Sequence, residues 1–267
     1  MKNTTNPATG VFEKRIPGNT SSSYLTGWKI AMWLALVFGS APLASAQYDP
    51  VLQFSPINNP NGVWSYGSES VPLGSPFSLF PGNITVAASP APIDGWEFPA
   101  LGELGVFDNG TPLVETVSDL TDNAVYQPGM LAMHPGPNGE YAIVQFTAPA
   151  NGIYTIQGTF EGIDTVGPTT DVHLLVNNVV VASGNVVGYG STVPLSFGPV
   201  SLTLGQTLAY AVGDGGNGPD FDTTALIDAQ VAAVAVPEPS SSALFAFVGV
   251  ILVVRDWSRR KRKIVTA

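Results

Sequence analysis

The stretch EYAIVQFTAPANGIYTIQGTFEG, residues 140–162, decides the fold class. Its apolar residues fall at alternate positions in two runs: Ala142, Val144 and Phe146 before Pro149, then Tyr154, Ile156 and Phe160 around Gly158. Apolar side chains that recur every second residue are typical of β-strands with one buried face. The stretch therefore predicts two consecutive strands whose apolar faces lie in a common core.

Similar runs continue towards the C-terminal end. The segment DVHLLVNNVVVASG, residues 171–184, predicts a β-hairpin, because two Val-rich runs flank Asn177 and Asn178. Asparagine tolerates the positive φ that a tight hairpin turn requires. Two more runs flank Gly205 in VSLTLGQTLAYAVGD, and ALIDAQVAAV, residues 225–234, is the last. These runs predict an all-β domain.

The N-terminal half of this domain has weaker patterns. The segment NPNGVWSYG, residues 59–67, predicts a turn that leads into a first strand, and further short strands are expected near Ile84, Leu104 and Val114. No break in composition indicates a second domain. We therefore predict a single domain over residues 47–235, an antiparallel β-sandwich of the jelly-roll-like type.

Charge and cysteine content narrow the classes of ligand. All 10 Lys and Arg residues lie within 2–29 or 255–263, whereas 17 of the 20 Asp and Glu residues lie within 47–236. This distribution argues against nucleic acid, phosphorylated substrates and anionic lipids, which bind mainly to Lys and Arg. The acidic surface has two interpretations, solubility of an exported protein or cation binding. With no cysteine, the chain has neither disulfides nor Cys-ligated metals.

The N-terminal segment has the pattern of an export signal. Lys29 precedes the apolar stretch IAMWLALVFGSAPLAS, which ends at an A-x-A site formed by residues 44–46. This order predicts a signal peptide over residues 1–46, with a long polar n-region and cleavage between Ala46 and Gln47. The alternative is an N-terminal anchor that is not cleaved.

The C-terminal segment combines three features in order. Pro237, Glu238 and Pro239 precede an apolar stretch at about 240–254, and six Arg and Lys residues follow. The apolar stretch is shorter than the ~20 residues that span a bilayer comfortably. Basic residues after an apolar segment resist translocation, however, and keep that end in the cytoplasm. We therefore predict a C-terminal transmembrane helix, with the preceding domain on the outside.

This order of motif, apolar segment and basic end, over residues 236–263, resembles the PEP-CTERM sorting domain of Gram-negative bacteria. A closely related family is described as an ice-binding protein C-terminal domain. The resemblance implies recognition by an exosortase and cleavage near the motif, in bacteria that make extracellular polysaccharide. Residues 256–258 depart from the family pattern, because they interrupt the basic cluster.

The central domain has a second resemblance. The segments NPNGVWSYG, TTDVHLLVN and AVGDGGNGPDFDTTALIDAQV, among others, are similar to an ectodomain that is common on PEP-CTERM proteins. That ectodomain is similar in architecture to jelly-roll carbohydrate-binding modules. The resemblance implies the fold of the domain and does not imply an activity.

A Gly-rich loop is the candidate metal site. In GDGGNGPDFD, the side chains of Asp214, Asn217, Asp220 and Asp222 are hard oxygen ligands of the kind that calcium prefers. Calcium is therefore the one cofactor predicted. The alternative is a solvated turn, because such turns are rich in Gly, Asn and Asp.

Histidine and tryptophan are the remaining candidates. His134 precedes a Pro-Gly turn that it is expected to cap, and His173 is expected on a sheet face. No G-x-S-x-G motif occurs, so we expect no catalytic residue. Trp96, in a turn-rich segment, or Trp64 would stack on a sugar, although Trp64 beside Tyr66 is also a candidate for the core.

These patterns predict an exported, envelope-anchored and non-catalytic β-sandwich associated with extracellular polysaccharide. Its expected partners are the export machinery, an exosortase and the inner membrane. Two alternatives stay open, a carbohydrate-binding module with a defined glycan ligand and a secreted hydrolase. An exposed aromatic platform would favour the module, and paired buried carboxylates in a cleft would favour the hydrolase.

Overall fold

A computed structural model describes residues 45–119, 121–234 and Arg255. Most of the predicted signal peptide, the PEP motif and the predicted transmembrane segment lie outside the described residues. No helix within those residues has the length and apolarity that a membrane span requires. The following strands occur: β1 (Ser45–Tyr48), β2 (Trp64–Glu69), β3 (Ser78–Leu79), β4 (Gly82–Val86), β5 (Ile93–Glu97), β6 (Gly105–Asp108), β7 (Glu115–Ser118), β8 (Asn123–Tyr126), β9 (Leu131–His134), β10 (Tyr141–Thr147), β11 (Gly152–Gly162), β12 (Thr169–Val176), β13 (Val179–Val187), β14 (Thr192–Leu202), β15 (Thr207–Gly213) and β16 (Thr224–Val234).

The strands form two large sheets and a separate ribbon. Sheet I has the order β14-β11-β16-β9-β6-β5-β4, with β1 also paired to β16, and sheet II has the order β13-β12-β15-β10-β2-β3. The pairings between these strands are antiparallel. From β9 to β16 the strands follow the order of a jelly roll, with the β12–β13 hairpin inside sheet II and every other connection passing between the sheets. The predicted antiparallel β-sandwich is confirmed.

The main core lies between the two sheets. All six alternating residues of the opening stretch are buried in it: Ala142, Val144, Phe146, Tyr154, Ile156 and Phe160. The rings of Trp64 and Tyr154 approach the Phe146 ring, with centroid distances of 5.5 and 5.7 Å. Burial of aromatic side chains removes a large apolar area from water, which is the main favourable contribution to folding.

Two local features explain the predicted hairpin and a glycine within a strand. Asn177 and Asn178 have φ of 48° and 62°, so the hairpin turn between β12 and β13 forms as expected. A Cβ at Gly158 would lie 2.9 Å from Leu226 Cδ1 and 3.0 Å from Tyr210 Cε1. The glycine therefore gives the Tyr210 ring room to pack, and the Tyr210 hydroxyl donates to the Gln157 carbonyl at 2.6 Å.

The N-terminal half extends both sheets, and its strands show little alternation because β3 has only two residues and β2 is buried on both faces. Strands β2 and β3 lengthen sheet II, and β4, β5 and β6 lengthen sheet I. Strands β7 and β8 form an antiparallel ribbon over the outer face of sheet I, above a second apolar cluster that includes Phe107 and Ala132. Backbone hydrogen bonds tie β7 to Ser89 and β8 to Ile163. The ribbon is thus attached on both sides.

The first strand contains the predicted signal cleavage site. Ala46 and Gln47 lie within β1, where they pair with Ala233 and Ala232 of β16. Cleavage between them would leave Gln47 and Tyr48 to pair with β16. The Tyr48 ring still contacts the core in that case, because its centroid lies 5.0 Å from that of Phe146. The cleavage site itself stays a prediction.

Candidate functional site: a carboxylate-lined cleft

A cleft of about 270 Å³ lies on the outer face of sheet I, beside the β7–β8 ribbon. Its walls combine apolar side chains with several carboxylates and one histidine. Its aromatic and titratable lining residues are Glu97, Glu103, Phe107, Asp119, Asp122, Tyr126, His134 and Asp164. The attached ribbon fixes one wall of the cleft, so the site is formed before any ligand arrives.

Phe107 lies across two glycines of sheet I. A Cβ at Gly95 would come within 2.5 Å of the Phe107 ring, and a Cβ at Gly105 within 2.6 Å. Any larger residue at these two positions would lift the ring off the sheet. The glycines therefore allow Phe107 to lie flat and contribute an apolar floor to the cleft, beside Ile84 and Val86 of β4.

Asp122 and Asp164 form a buried carboxyl pair at one wall. The Asp122 Oδ1 atom accepts hydrogen bonds from Thr165 Oγ1 at 2.7 Å and from the Val166 amide at 2.8 Å, and Asp164 accepts one from the Thr223 amide. The two carboxyl groups lie close enough for each to affect the pKa of the other. Burial raises the pKa of Asp164 to about 7. Burial also acts to raise the pKa of Asp122, but the hydrogen bonds that it accepts lower it.

A buried carboxyl pair in a cleft is the feature that would favour a hydrolase, and Asp122 and Asp164 form such a pair. Both carboxyls also accept hydrogen bonds from backbone amides, those of Val166 and Thr223. The pair therefore fastens the start of β8 to the segments that follow β11 and precede β16.

His134 and Tyr126 are the other polar groups that line the cleft at depth. His134 Nδ1 lies 2.8 Å from the Pro135 carbonyl, so this nitrogen carries the proton, and Nε2 lies 3.4 Å from Glu103 Oε2. The predicted local cap is thus present. Burial lowers the pKa of His134, and the neutral ring presents Nε2 as an acceptor. Burial raises the pKa of Tyr126, so its hydroxyl stays protonated.

Two further carboxylates give the cleft its acceptor character. Burial raises the pKa of Glu97, whereas hydrogen bonds from the Thr121 and Asp122 amides lower the pKa of Asp119. Residues 47–236 contain no Lys or Arg, so these carboxylates have no fixed cation within the domain. The cleft therefore offers hydrogen-bond acceptors next to apolar walls.

The two tryptophans predicted to stack on a ligand lie in the core. Trp64 is fully buried, and Trp96 is 7% exposed. The Trp96 indole donates to the Ser55 carbonyl at 2.7 Å, and the Trp64 indole donates to Gln53 Oε1 at 2.8 Å. Neither ring has a free face, so the structure corrects the stacking prediction and supports the alternative that Trp64 is a core residue.

The four residues of the predicted calcium loop have separate roles. Asp222 is fully buried and accepts from the Thr169 amide at 2.7 Å, and its Oδ2 atom has no hydrogen-bond partner. Asn217 donates to Thr169 Oγ1, and Asp214 accepts from the Gly216 amide within its own loop. Asp220 is exposed. Among the described residues, no three His, Asp or Glu side chains gather as a metal site, and calcium stays a prediction.

The cleft residues themselves were not predicted as a site. They come from separate segments of the chain, between Ile84 and Thr223, and no fixed spacing links them. The one local signal is GELGVFD, residues 102–108, in which Gly105, the first residue of β6, lies two positions before Phe107. A glycine within a strand can mark a place where another group approaches the backbone closely.

Comparison with known proteins gives only weak similarity. No protein-family model matches the sequence, and no curated protein sequence matches it significantly. CBM51 from Clostridium perfringens GH95, in complex with methyl-galactose, is 16% identical with a TM-score of 0.30, over 43% of this chain and 78% of that one. Tandem CBM51 modules of a family 98 glycoside hydrolase from Streptococcus pneumoniae are 10% identical with a TM-score of 0.39. The match covers 73% of this chain and 49% of that one. A cyclase from Fischerella sp. TAU is 14% identical with a TM-score of 0.31. The match covers 73% of this chain and 100% of that one. Similarity this low carries no argument about a ligand or an activity of this chain.

Proposed function

We propose that the protein is a carbohydrate-binding β-sandwich, and that its cleft binds an uncharged sugar unit of a glycan. The observation that carries this proposal is the combination of carboxylate acceptors with an apolar floor in a domain that lacks Lys and Arg. Sugar hydroxyls supply the hydrogen-bond donors that such a cleft requires. The C–H faces of the sugar ring pack against the half-buried Ile84 and Val86 of β4, which rest on the buried Phe107 ring.

The charges of the cleft exclude anionic glycans as ligands. Glu97, Glu103 and Asp119 line the cleft, and no fixed cation of the domain offsets them. A carboxylate or sulfate on the ligand would add repulsion to the cost of desolvating charged groups. The volume of about 270 Å³ is slightly below the usual range of about 300–1,000 Å³ for small-molecule sites. One sugar unit of a longer chain fits this description.

The binding test uses the full-length protein on a glycan array, followed by calorimetric titration of the best neutral glycan. We expect Glu97→Gln to weaken binding about five- to tenfold, because hydrogen bonds to charged groups contribute about 1 kcal/mol more than neutral ones. Asp228→Asn is the matched control. It makes the same charge change at an exposed residue that does not line the cleft, and it should bind like wild type.

The same titration separates a neutral ligand from a cationic one. Affinity for a neutral glycan should change little when sodium chloride is raised, whereas affinity for a cationic ligand should fall because salt screens the carboxylates. Equal binding by Glu97→Gln and wild type would contradict the cleft as the site. Binding restricted to cationic ligands would contradict an uncharged ligand.

We further propose that the protein is exported and sorted through its C-terminal segment. The support is the order of the PEP motif, the apolar stretch and the basic end in the sequence. In a host with an exosortase, Glu238→Ala should accumulate as a full-length membrane species, and Glu13→Ala should be processed like wild type. If Glu238→Ala is also processed like wild type, the segment is an anchor and not a sorting signal.

A further inference from the structure

The outer face of sheet II, on the other side of the sandwich from the cleft, carries a hydrogen-bonded serine, histidine and aspartate. His173 Nε2 lies 2.7 Å from Asp171 Oδ2, and His173 Nδ1 lies 2.8 Å from Ser183 Oγ. Asp171 and His173 belong to β12, and Ser183 belongs to β13. His173 and Ser183 are direct cross-strand partners. Two rigid, paired strands therefore fix the order Ser–His–Asp.

The hydrogen bonds around Asp171 assign the proton on the histidine ring. Asp171 is an acceptor on both oxygens: Oδ1 accepts from the Gly215 amide at 2.9 Å, and Oδ2 accepts from the Tyr141 hydroxyl at 2.9 Å. Burial acts to raise the pKa of Asp171, but hydrogen bonds from His173, Gly215 and Tyr141 lower it. The ionised Asp171 therefore takes the Nε2 proton as its donor. The Nδ1 atom is then unprotonated and accepts the Ser183 hydroxyl proton.

The environment of His173 holds the ring and leaves the serine open. The Tyr141 and His173 rings meet in a T-shaped arrangement, with a centroid distance of 5.8 Å and an interplanar angle of 68°. On its other side, β12 pairs His173 with Ala211 of β15, a small residue that leaves space for the imidazole. The His173 side chain is 15% exposed, whereas Ser183 is exposed. The base is fixed and the hydroxyl is accessible.

The side-chain amide of Asn185 is a hydrogen-bond donor on the same face of the sheet as Ser183. Asn185 lies two residues after Ser183 on β13, so the two side chains share one face of the strand. Asn185 is exposed. A side-chain amide next to the nucleophile is one of the groups that stabilise the oxyanion of acyl transfer. A nucleophile, a base, a group that orients the base and an amide donor are thus on one patch.

We propose that Ser183, His173 and Asp171 form a nucleophilic serine site that hydrolyses small, uncharged O-acyl esters. Ser183 Oγ attacks the acyl carbon while His173 Nδ1 takes the hydroxyl proton, and the alcohol leaves with that proton as the C–O bond breaks. Water then attacks the acyl-serine, His173 takes and returns a proton, and the carboxylic acid leaves. Ser183 is the catalytic nucleophile, His173 is the base, and Asp171 is a positioning residue.

The surroundings of the patch indicate the class of ester. Val187 is 65% exposed and follows Asn185 at the next position on the same face of β13, where it offers an apolar contact to a short acyl chain. An open sheet face suits a small acyl group on a larger alcohol. The domain has no Lys or Arg, so its carboxylates would repel an anionic ester. An uncharged ester is not repelled. This site is independent of the proposed glycan cleft.

The test uses purified full-length protein and p-nitrophenyl acetate. The release of nitrophenol gives the rate, and mass spectrometry of the digested protein locates the acetyl group. We expect acetylation of Ser183 and its loss in Ser183→Ala. His173→Gln should acylate roughly 10²–10⁴-fold more slowly, because glutamine cannot take the proton. The matched control is Ser196→Ala, an exposed serine of the β14 strand, which should react like wild type.

Folding is checked by thermal melting of each variant, and Ser183→Thr provides a second variant that keeps a hydroxyl. A wild-type rate equal to the buffer background would overturn the proposal. So would acetylation at other residues only, or an unchanged rate in Ser183→Ala. The glycan titration and the ester assay are separate measurements on the same protein. Glycan binding without acetylation of Ser183 overturns the serine site alone, and acetylation of Ser183 without glycan binding overturns the glycan proposal alone.

Discussion

Replacement of Phe146 with alanine should lower the free energy of unfolding by about 3–5 kcal/mol, the usual cost of removing a buried phenylalanine side chain. Phe146 is fully buried between the sheets. Its ring contacts those of Tyr48, Trp64 and Tyr154, which come from three different strands. The substitution therefore leaves a cavity at the point where both sheets and the first strand meet. Urea denaturation at fixed pH measures the change.

The control for Phe146 is a second aromatic residue outside the core. Tyr189 is 54% exposed, and Tyr189→Ala should change the free energy of unfolding by no more than about 0.5 kcal/mol. If Phe146→Ala does not fold, Phe146→Leu keeps most of the volume and should cost less than the alanine variant. A loss below about 1 kcal/mol in Phe146→Ala would contradict the central place of this ring in the core.

The second large effect concerns Asp164, and its sign depends on pH. We expect Asp164→Asn to be more stable than wild type at pH 8, by an amount of up to about 4 kcal/mol, and close to wild type at pH 4. The basis is the pKa of Asp164, which burial raises from 3.8 to about 7 in the folded protein. Each pKa unit corresponds to about 1.4 kcal/mol.

The sign follows from proton binding. Between pH 4 and 7 the folded state keeps the Asp164 proton while the unfolded state releases it, so ionisation favours unfolding and stability falls as pH rises. Asparagine removes this dependence and keeps the hydrogen bond from the Thr223 amide, which its side-chain carbonyl accepts. The pKa of Asp122 is lowered, so that residue contributes stability above its ordinary pKa in both proteins.

Other buried carboxyls contribute to the wild-type curve, so the difference between the two proteins is the quantity to measure. Burial raises the pKa of Asp108 to about 7 and that of Asp222 to about 6, and both residues are present in the variant. Their effects cancel in the difference. Asp228→Asn, at an exposed position, should show no pH-dependent difference from wild type. An Asp164→Asn curve parallel to that of wild type would contradict the buried, protonated Asp164.

The sandwich was predictable because its strands carry local patterns. Alternation in residues 140–162 identified one buried face, and the structure places those residues in the core. The Asn177–Asn178 turn was predictable for the same reason, since two adjacent positive φ angles favour asparagine. Short strands at the sheet edges, such as Ser78–Leu79, have too few residues to show a period.

The candidate site was not predictable, because its contacts are long-range. Trp96 occurs in a turn-rich segment that favours exposure, yet its indole donates to the Ser55 carbonyl, 41 positions earlier in the chain. Asp122 and Asp164 meet across a gap of 42 residues. The serine site depends on a cross-strand register, which pairs His173 with Ser183, and on a loop amide from Gly215. Local sequence does not encode these distances.

The central claim, that the cleft binds an uncharged glycan, is tested most directly by locating the ligand on the protein. Nuclear magnetic resonance spectra of the labelled protein should be recorded while the best neutral glycan is added. We expect the shifts to concentrate at Phe107, Tyr126 and Thr223, which line the cleft, and the resonances of sheet II residues such as Ser183 not to shift. Saturable shifts on sheet II alone, with none in the cleft, would contradict it.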